Sequence, residues 1–174
     1  MLIILEGLDL AGKSYIAEQL LKGLPNCFYM KQGNRPKDKS EEERSKIQDT
    51  YYAMLEAWTS INDPNTNMIF DRYYPSELVY SLPKRGYDAF EDKIYRDLEG
   101  DLLSYNDKVL VLYVFTHKEE LLKRFEVRGD DYMTPGDIDI LLSRYNAFIA
   151  QTRLAVCQIQ SGTPINEIME MIQK

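Results

Sequence analysis

The sequence has few cysteines and no long apolar run, and each shortage excludes a class of protein. Its two cysteines, Cys27 and Cys157, have no metal-ligand spacing and leave room for at most one disulfide. No apolar stretch approaches the roughly 20 residues that span a bilayer, so no membrane partner is expected. The first residues lead directly into a motif and leave no room for a signal peptide. The expected location is therefore the reducing cytoplasm.

Basic residues are scarce relative to acidic ones. The chain of 174 residues has 21 Lys and Arg against 28 Asp and Glu, which gives a net charge of −7. Proteins that follow a nucleic-acid backbone draw most of their affinity from basic surface. We therefore expect a small-molecule partner rather than a nucleic acid, although a local basic site can exist on an acidic body.

Short apolar runs alternate with longer amphipathic segments, a pattern typical of a single α/β domain with a parallel sheet. The apolar runs predict strands at Leu2–Glu6, Cys27–Lys31, Met68–Asp71, Lys108–Phe115 and Val156–Ile159. The amphipathic segments predict helices over residues 14–23, 40–61, 75–81, 88–105 and 116–127, with two more that begin near 134 and 164.

Three of these helices begin with a recognisable start signal. Ser40 with Glu43, and Thr116 with Glu119, have the spacing of a capping box. Thr134 precedes a proline that would occupy the first helical position, where its missing N–H is harmless.

The segment from Gly7 to Ser14, GLDLAGKS, fits the pattern G-x-x-x-x-G-K-[ST] in full. It follows a predicted buried strand and opens a predicted helix, which is the context that a phosphate-binding P-loop requires. The glycines allow a tight turn whose N–H groups face a concavity. Lys13 is expected to reach the β- and γ-phosphates of ATP, and the Ser14 hydroxyl to ligate Mg²⁺. The predicted ATP contacts are Gly7, Leu8, Asp9, Leu10, Ala11, Gly12, Lys13, Ser14 and Tyr15.

A second candidate site is Asp71-Arg72-Tyr73, at the carboxyl end of the third predicted strand. Ligands of open α/β sheets bind beyond the carboxyl ends of the strands, which brings this tripeptide beside the P-loop. Asp71 is then expected to hold a water of the Mg²⁺ shell, and Arg72 to bridge the donor and acceptor phosphates. The alternative is an Asp-Arg ion pair at the end of a strand.

Two arginines suggest a lid. Arg124 and Arg128 lie four residues apart on a predicted helix that leads into Gly129. An exposed surface is the plain interpretation of this spacing. The nearby glycine hinge favours a lid over residues 128–134 that closes on ATP, with both arginines neutralising charge during transfer.

Together these motifs resemble the thymidylate kinase family, within the nucleoside and nucleoside-monophosphate kinases. The resemblance is carried by LEGLDLAGKS at 5–14, FDRYYPSELVYS at 70–81 and LLKRFEVRGDD at 121–131. It implies a P-loop NTPase-type fold of three α/β/α layers with five parallel strands, in one domain over residues 1–174. It also implies an acceptor-binding region at about 31–60 and 71–105. Dimerisation through helices is common in that family, so a homodimer is one expectation.

The resemblance also implies roles for single residues. By position, Asp9 would contact the sugar or phosphate end of the acceptor, while Asp71 and Arg72 would take the metal and phosphate positions. Ser76 and Tyr80 would line the acceptor pocket, where Tyr80 would exclude a ribose 2′-hydroxyl.

The chain departs from the family pattern in places. Leu10 stands where the family commonly has glycine, and Tyr15 where it has threonine. The family segment Arg-Glu-Pro-Gly after the second strand is replaced by KQGNRP at 31–36. The long helix after Ser40 offers aromatic residues, of which Tyr51 is a candidate for stacking on the acceptor base. Thymine specificity therefore does not follow from the resemblance.

Proton chemistry favours a monophosphate as the acceptor. A nucleoside kinase must take a proton from a 5′-hydroxyl and needs a carboxylate base there. The segment after the second strand holds Lys31 and Arg35 and no acid up to Pro36. A monophosphate is already anionic and requires cations instead. Asp9 stays a candidate base, which keeps a deoxynucleoside kinase open.

Two further hypotheses remain at this point. A kinase acting on a polynucleotide end or a modified DNA base would share the P-loop, although the acidic net charge disfavours it. A non-catalytic nucleotide-binding switch would also share the P-loop. A switch has no need of the Asp-Arg-Tyr segment or of the paired arginines.

Overall fold

The computed structural model describes residues 1–32, 40–61, 63–105 and 108–172. Five parallel strands form one sheet in the order β2-β3-β1-β4-β5. The strands are β1 (Leu2–Glu6), β2 (Cys27–Lys31), β3 (Asn67–Asp71), β4 (Val109–Phe115) and β5 (Ala155–Gln160). The predicted α/β class and five-stranded parallel sheet are confirmed.

Seven helices connect and flank these strands within the described residues. They are α1 (Lys13–Gly23), α2 (Glu41–Thr59), α3 (Tyr74–Tyr80), α4 (Lys93–Leu103), α5 (Lys118–Arg128), α6 (Ile138–Gln151) and α7 (Ile165–Ile172). A π-helical turn, Ser81–Arg85, extends α3, and short 3₁₀ turns lie at Ala89–Glu91 and Pro135–Asp137. Within the part of the chain that the structure describes, none of the helices is long and apolar enough to cross a membrane.

The sheet separates two apolar layers. Side chains alternate along β1, so that Ile3 and Leu5 pack with α1 and α7, while Leu2 and Ile4 pack with α2, α3, α4 and α6. Every residue of β1 is buried, because it is the central strand and both of its faces are covered. This arrangement forms the expected three layers and brings the carboxyl ends of β1, β3 and β4 to one edge.

The helix starts agree with the sequence in part. Ser40 caps α2, and its side chain accepts the Glu43 N–H at 3.2 Å. The predicted cap at Thr116 is wrong, since α5 begins after His117 and the Thr116 hydroxyl donates to the Ala11 carbonyl at 3.5 Å. The predicted helix over 88–105 is divided, because the Asp92 side chain caps a new helix start at α4.

Candidate active site

The connection from β1 to α1 is a tight loop over residues 7–12. Gly7 has φ +145° and Gly12 has φ +93°, and both values are rare for residues with a side chain. A Cβ on Gly7 would lie 2.3 Å from the Val114 carbonyl oxygen, so β4 itself excludes a side chain there. Gly7 therefore serves the close packing of the loop on β4, and Gly12 allows the left-handed turn that leads into α1.

Lys13 opens α1 and folds back over the loop. Its side chain is buried, and Nζ donates to the carbonyls of Gly7 at 2.9 Å and Leu8 at 2.7 Å. Burial, together with the positive charge of Arg72, lowers the pKa of Lys13 to about 7. A phosphate bound in the loop would pair with this ammonium group and favour its charged form.

Leu10 lies in the left-handed region, with φ +65°. This conformation is strained for a leucine, which gives a physical reason for glycine at the same position of the resembled family. The Leu10 carbonyl accepts from Arg124 Nη1 at 2.9 Å. Arg124 also donates to Ser161 at 2.9 Å and pairs with Glu120 at 2.8 Å. The predicted lid arginine thus lies on the P-loop.

The Asp-Arg-Tyr segment lies beside the P-loop because β1 and β3 are neighbours. Leu5 and Asp71 are partners in the parallel register, so both strands end together. Arg72 then turns the chain into α3 with φ +69°, a strained value of the kind found at functional sites. Its guanidinium reaches Asp9 at 2.7 Å and Ser76 at 2.9 Å. Tyr80 closes the group by donating to Asp9 at 3.1 Å.

The buried carboxylate of Glu6 holds this turn in place through hydrogen bonds. One carboxylate oxygen accepts the N–H groups of Tyr73 at 2.9 Å and Ser76 at 3.3 Å. The other accepts from the hydroxyls of Ser76 at 2.7 Å and Tyr145 at 2.9 Å. Burial raises the pKa of Glu6, while the nearby guanidinium of Arg72 opposes the rise. Glu6 therefore caps α3, whose own N-cap side chain makes no capping hydrogen bond.

The two predicted metal ligands, Ser14 and Asp71, both line the cleft. Ser14 is exposed at the start of α1, and Asp71 lies at the end of β3, where it accepts from the Tyr29 hydroxyl at 2.6 Å. The described residues contain no cluster of three or more metal-ligating side chains. One hydroxyl and one carboxylate suit Mg²⁺, which keeps most of its waters and takes further ligands from phosphates.

A cleft of about 850 Å³ joins these groups. The predicted residues Tyr15, Lys31, Arg124 and Arg128 line it, and so do all members of the group around Arg72 and Asp9. Basic side chains outnumber acidic ones along its wall, although the whole chain carries −7. The acidic molecule therefore has a locally basic cleft, as expected for a site that binds several phosphates.

The structure corrects the predicted stacking residue. Tyr51 is fully buried, and its ring packs edge-on against Tyr73 at 5.1 Å and Tyr95 at 6.3 Å. Its hydroxyl accepts from Gln32 at 2.7 Å. A ring enclosed in the core cannot stack on a base, and the contact of Tyr51 with the cleft is indirect, through Gln32, which does line the cleft. Arg35 lies outside the described residues.

The predicted lid segment contacts helix α3 through Tyr132 and Tyr80. Asp130 accepts the N–H groups of Tyr132 at 2.8 Å and Met133 at 2.7 Å, which forms a compact turn. Met133 is fully buried, and the Tyr132 ring lies 5.9 Å from that of Tyr80. Residues 128–134 thus connect the arginines of α5 to the wall formed by α3.

Sequence reasoning did not assign a role to several residues that line the cleft. These are Gln32, Glu77, Arg85, Lys123 and Tyr132. The sequence does indicate that Gln32 lies near the cleft, because this residue directly follows a predicted strand. Glu77 and Arg85 are eight positions apart, and no motif indicates that they meet.

Comparison with known proteins gives one similar curated sequence. The chain is 30% identical over 161 residues to the SPbeta prophage-derived uncharacterised protein YorR of Bacillus subtilis. The alignment covers 92% of this chain and 89% of YorR. No family model matches the chain.

Solved structures share the fold. The crystal structure of YorR from B. subtilis, described as a complex with phosphorylated GDP, has a TM-score of 0.72 and 24% identity, covering 99% of this chain and 96% of that one. Deoxyadenosine kinase from M. mycoides with bound dATP has a TM-score of 0.68 and 19% identity, and both chains are covered in full. Thymidylate kinase from Candida albicans also has 0.68 and 19%, covering 99% of this chain and 90% of the enzyme. These likenesses show that the fold is that of the P-loop nucleotide kinases.

Proposed function

The chain belongs to the family of the B. subtilis protein YorR, and from this premise we propose that it is a P-loop kinase acting on nucleoside monophosphates. ATP, with Mg²⁺ at Ser14 and Asp71, is the proposed donor. An oxygen of the acceptor monophosphate attacks the γ-phosphorus, the bond to the β–γ bridging oxygen breaks, and ADP and a nucleoside diphosphate are released.

One observation carries the proposal: Lys13 of the P-loop and Arg72 of the segment after β3 line the same cleft. Lys13 lies on the P-loop, where the donor phosphates belong, and Arg72 lies at the end of β3 beside α3. They are close enough for the charge of Arg72 to lower the pKa of Lys13. Two neighbouring cations suit the transfer of a phosphoryl group, a reaction in which positioning and charge neutralisation supply most of the catalysis.

The state of Asp9 favours a monophosphate over a nucleoside. A nucleoside acceptor would need a free carboxylate to take the proton of its 5′-hydroxyl. Asp9 accepts from Arg72 at 2.7 Å and from Tyr80 at 3.1 Å, and such donors stabilise the charged carboxylate and weaken it as a base. A monophosphate needs no base, and Arg72, which lines the cleft, supplies a cation for it.

A deoxynucleoside kinase is the second candidate. It is favoured by the position of Asp9 in the cleft and by the shared fold of the M. mycoides deoxyadenosine kinase. In this reaction Asp9 would exchange Arg72 for the 5′-hydroxyl. The base of the acceptor is a separate question. The family resemblance points to dTMP, whereas the structure of YorR is described as a complex with a guanine nucleotide.

The test is an ADP-release assay with Mg-ATP over a panel of nucleosides and their monophosphates. An oligonucleotide and a reaction without acceptor complete the panel. Monophosphates are expected to support turnover and nucleosides to support little or none. Lys13→Met should abolish turnover, whereas Lys22→Met, on an exposed part of the same helix, should leave it unchanged. A response to nucleosides alone, or to the oligonucleotide alone, would overturn the proposal.

A further inference from the structure

A buried ion pair borders the cleft. Arg85 Nη1 contacts Glu77 Oε2, and the Tyr87 hydroxyl donates to the other oxygen of Glu77. The side chain of Glu77 is fully buried and that of Arg85 is 9% exposed, yet both border the cleft. Neither residue takes part in the phosphate chemistry described above.

The pair is built by an unusual local structure. Glu77 lies in α3, directly after Ser76, and Arg85 closes the π-helical turn that extends this helix. Gly86 ends the turn in the left-handed conformation, with φ +76°. Single π turns occur frequently at functional sites. Here the turn carries Arg85 back over Glu77.

The pair is not satisfied by the protein. The Nε of Arg85 is buried and has no hydrogen-bond partner among the described residues. Removing two charges from water costs several kcal/mol per ion unless further hydrogen bonds compensate. A buried unsatisfied donor in a native site calls for an explanation, and a ligand in the cleft would supply the missing acceptor.

From this geometry we infer that Glu77 and Arg85 read the base of the acceptor nucleotide, and that this base is guanine. The inference rests on the proposed function, because it assumes that the acceptor lies beside this pair. Ser76, the neighbour of Glu77, hydrogen-bonds Arg72, so a phosphate at Arg72 directs the rest of a nucleotide toward the pair. Tyr80 and Tyr132 form an aromatic wall beside this path.

Guanine uses this pair more fully than adenine or thymine, and dCMP, which also has adjacent acceptors and an amino donor, is its closest competitor. It has two acceptors, O6 and N7, which the guanidinium fork of arginine binds in the commonest base-specific contact known. It also has N–H donors on its Watson–Crick edge for the carboxylate. Adenine has a donor next to N7 where guanine has O6, and would face Arg85 with an N–H group. Thymine has no counterpart of N7.

The experiment measures kcat/KM with saturating Mg-ATP for dGMP, dIMP, dAMP, dCMP and dTMP. The guanine nucleotide is expected to rank first, followed by dIMP, which keeps O6 and N7 and lacks the 2-amino group. Arg85→Gln should lower kcat/KM for dGMP by about tenfold to a hundredfold. The same variant should lower kcat/KM for dAMP much less, so the preference for guanine should collapse. Arg153→Gln, at an exposed site, is the matched control.

A second variant separates recognition from folding. Arg85→Lys keeps a cation beside Glu77 and removes the planar fork, so it should fold normally and still lose the guanine preference. Thermal unfolding of each variant shows whether the fold is intact. A purely structural role would lower kcat/KM for all five acceptors together, and that result would overturn the inference.

The outcomes also distinguish this inference from the proposed function. If another monophosphate ranks above dGMP, the guanine assignment fails and the kinase assignment stands. If only nucleosides are phosphorylated, the proposed acceptor class fails, and the rank of deoxyguanosine among the nucleosides decides the base. If there is no turnover, equilibrium dialysis measures the affinities of the protein for GMP and for AMP. Equal affinities overturn the inference.

Discussion

At the scale of single residues, Lys13 has the most consequential state. Its ammonium group is buried and donates to two carbonyls of its own loop. Burial and the charge of Arg72 lower its pKa to about 7, so the group is largely neutral above that pH. A triphosphate in the loop favours the charged form. Binding of the donor should therefore take up a proton.

The first prediction concerns the pH dependence of ATP affinity. Between pH 8 and 9.5 the free protein has lost the Lys13 proton and the complex holds it, so the dissociation constant should rise by about tenfold per pH unit. Below pH 7 both states are protonated, and this dependence should vanish. Isothermal titration in buffers of different ionisation enthalpy measures the proton uptake directly.

Two variants check that Lys13 is the group responsible. Lys13→Met should bind ATP weakly and with a flat profile above pH 8. Lys22→Met, in the same helix, should keep the wild-type profile. A wild-type dissociation constant that does not change between pH 8 and 9.5 would contradict the assigned pKa.

At the scale of elements, the connection between β3 and α3 depends on a residue of β1. Glu6 accepts two backbone N–H groups and two hydroxyls, and it lies 4.0 Å from Arg72. The carboxylate thus caps α3 and holds the strained Arg72 in place. The sheet register brings these groups together, because β1 and β3 end side by side.

The second prediction is a ranking of two substitutions. Glu6→Gln should be tolerated, because its amide oxygen can accept the two N–H groups and its amide hydrogens can meet hydroxyls that rotate. Glu6→Ala should cost about 2–5 kcal/mol of unfolding free energy, since it orphans buried donors and removes a countercharge of Arg72. Urea denaturation measures both values.

A matched control is Glu18→Ala, which removes an exposed carboxylate from α1 and should change stability little. The ranking matters more than either value. If Glu6→Gln were as damaging as Glu6→Ala, the charge itself would be required, and the account of Glu6 as a hydrogen-bond acceptor would fail.

At the scale of the whole molecule, the cleft is formed by elements that are distant in the sequence. The P-loop, the turn after β3, the π turn and helix α5 all contribute to its wall. A ligand in the cleft contacts each of them at once, and the unfolded chain cannot reproduce such a site. Ligand binding should therefore stabilise the folded state as a whole.

The third prediction is a thermal shift. Mg-ATP at 100 times its dissociation constant should stabilise the fold by about 2.7 kcal/mol, which for a domain of this size raises Tm by about 5–11 °C. Scanning calorimetry measures the shift. Lys13→Met should abolish it at the same ATP concentration, while Lys22→Met should preserve it. An equal shift in both variants would mean that ATP binds elsewhere.

The sequence by itself determined the framework and the donor half of the site. Strands β1 and β2 have the predicted bounds, and the other three differ by one residue at one or both ends, because buried parallel strands read as short apolar runs. The P-loop was evident because its chemistry depends on backbone conformation, which glycines at fixed spacing record locally. Asp9, Arg72, Ser76 and Tyr80, named from the resemblance, do lie together in the cleft.

Only the tertiary structure decided which side chains face the cleft on its acceptor side. Tyr51 was expected to meet a base and is enclosed in the core, since aromatic residues at helical spacing pack inward for the same reason that they would stack on a ligand. Glu77 and Arg85 meet through a π turn that no local pattern indicates. Contacts of this kind depend on how helices cross the sheet edge, and the energy of that packing is distributed over many residues that are far apart in the sequence.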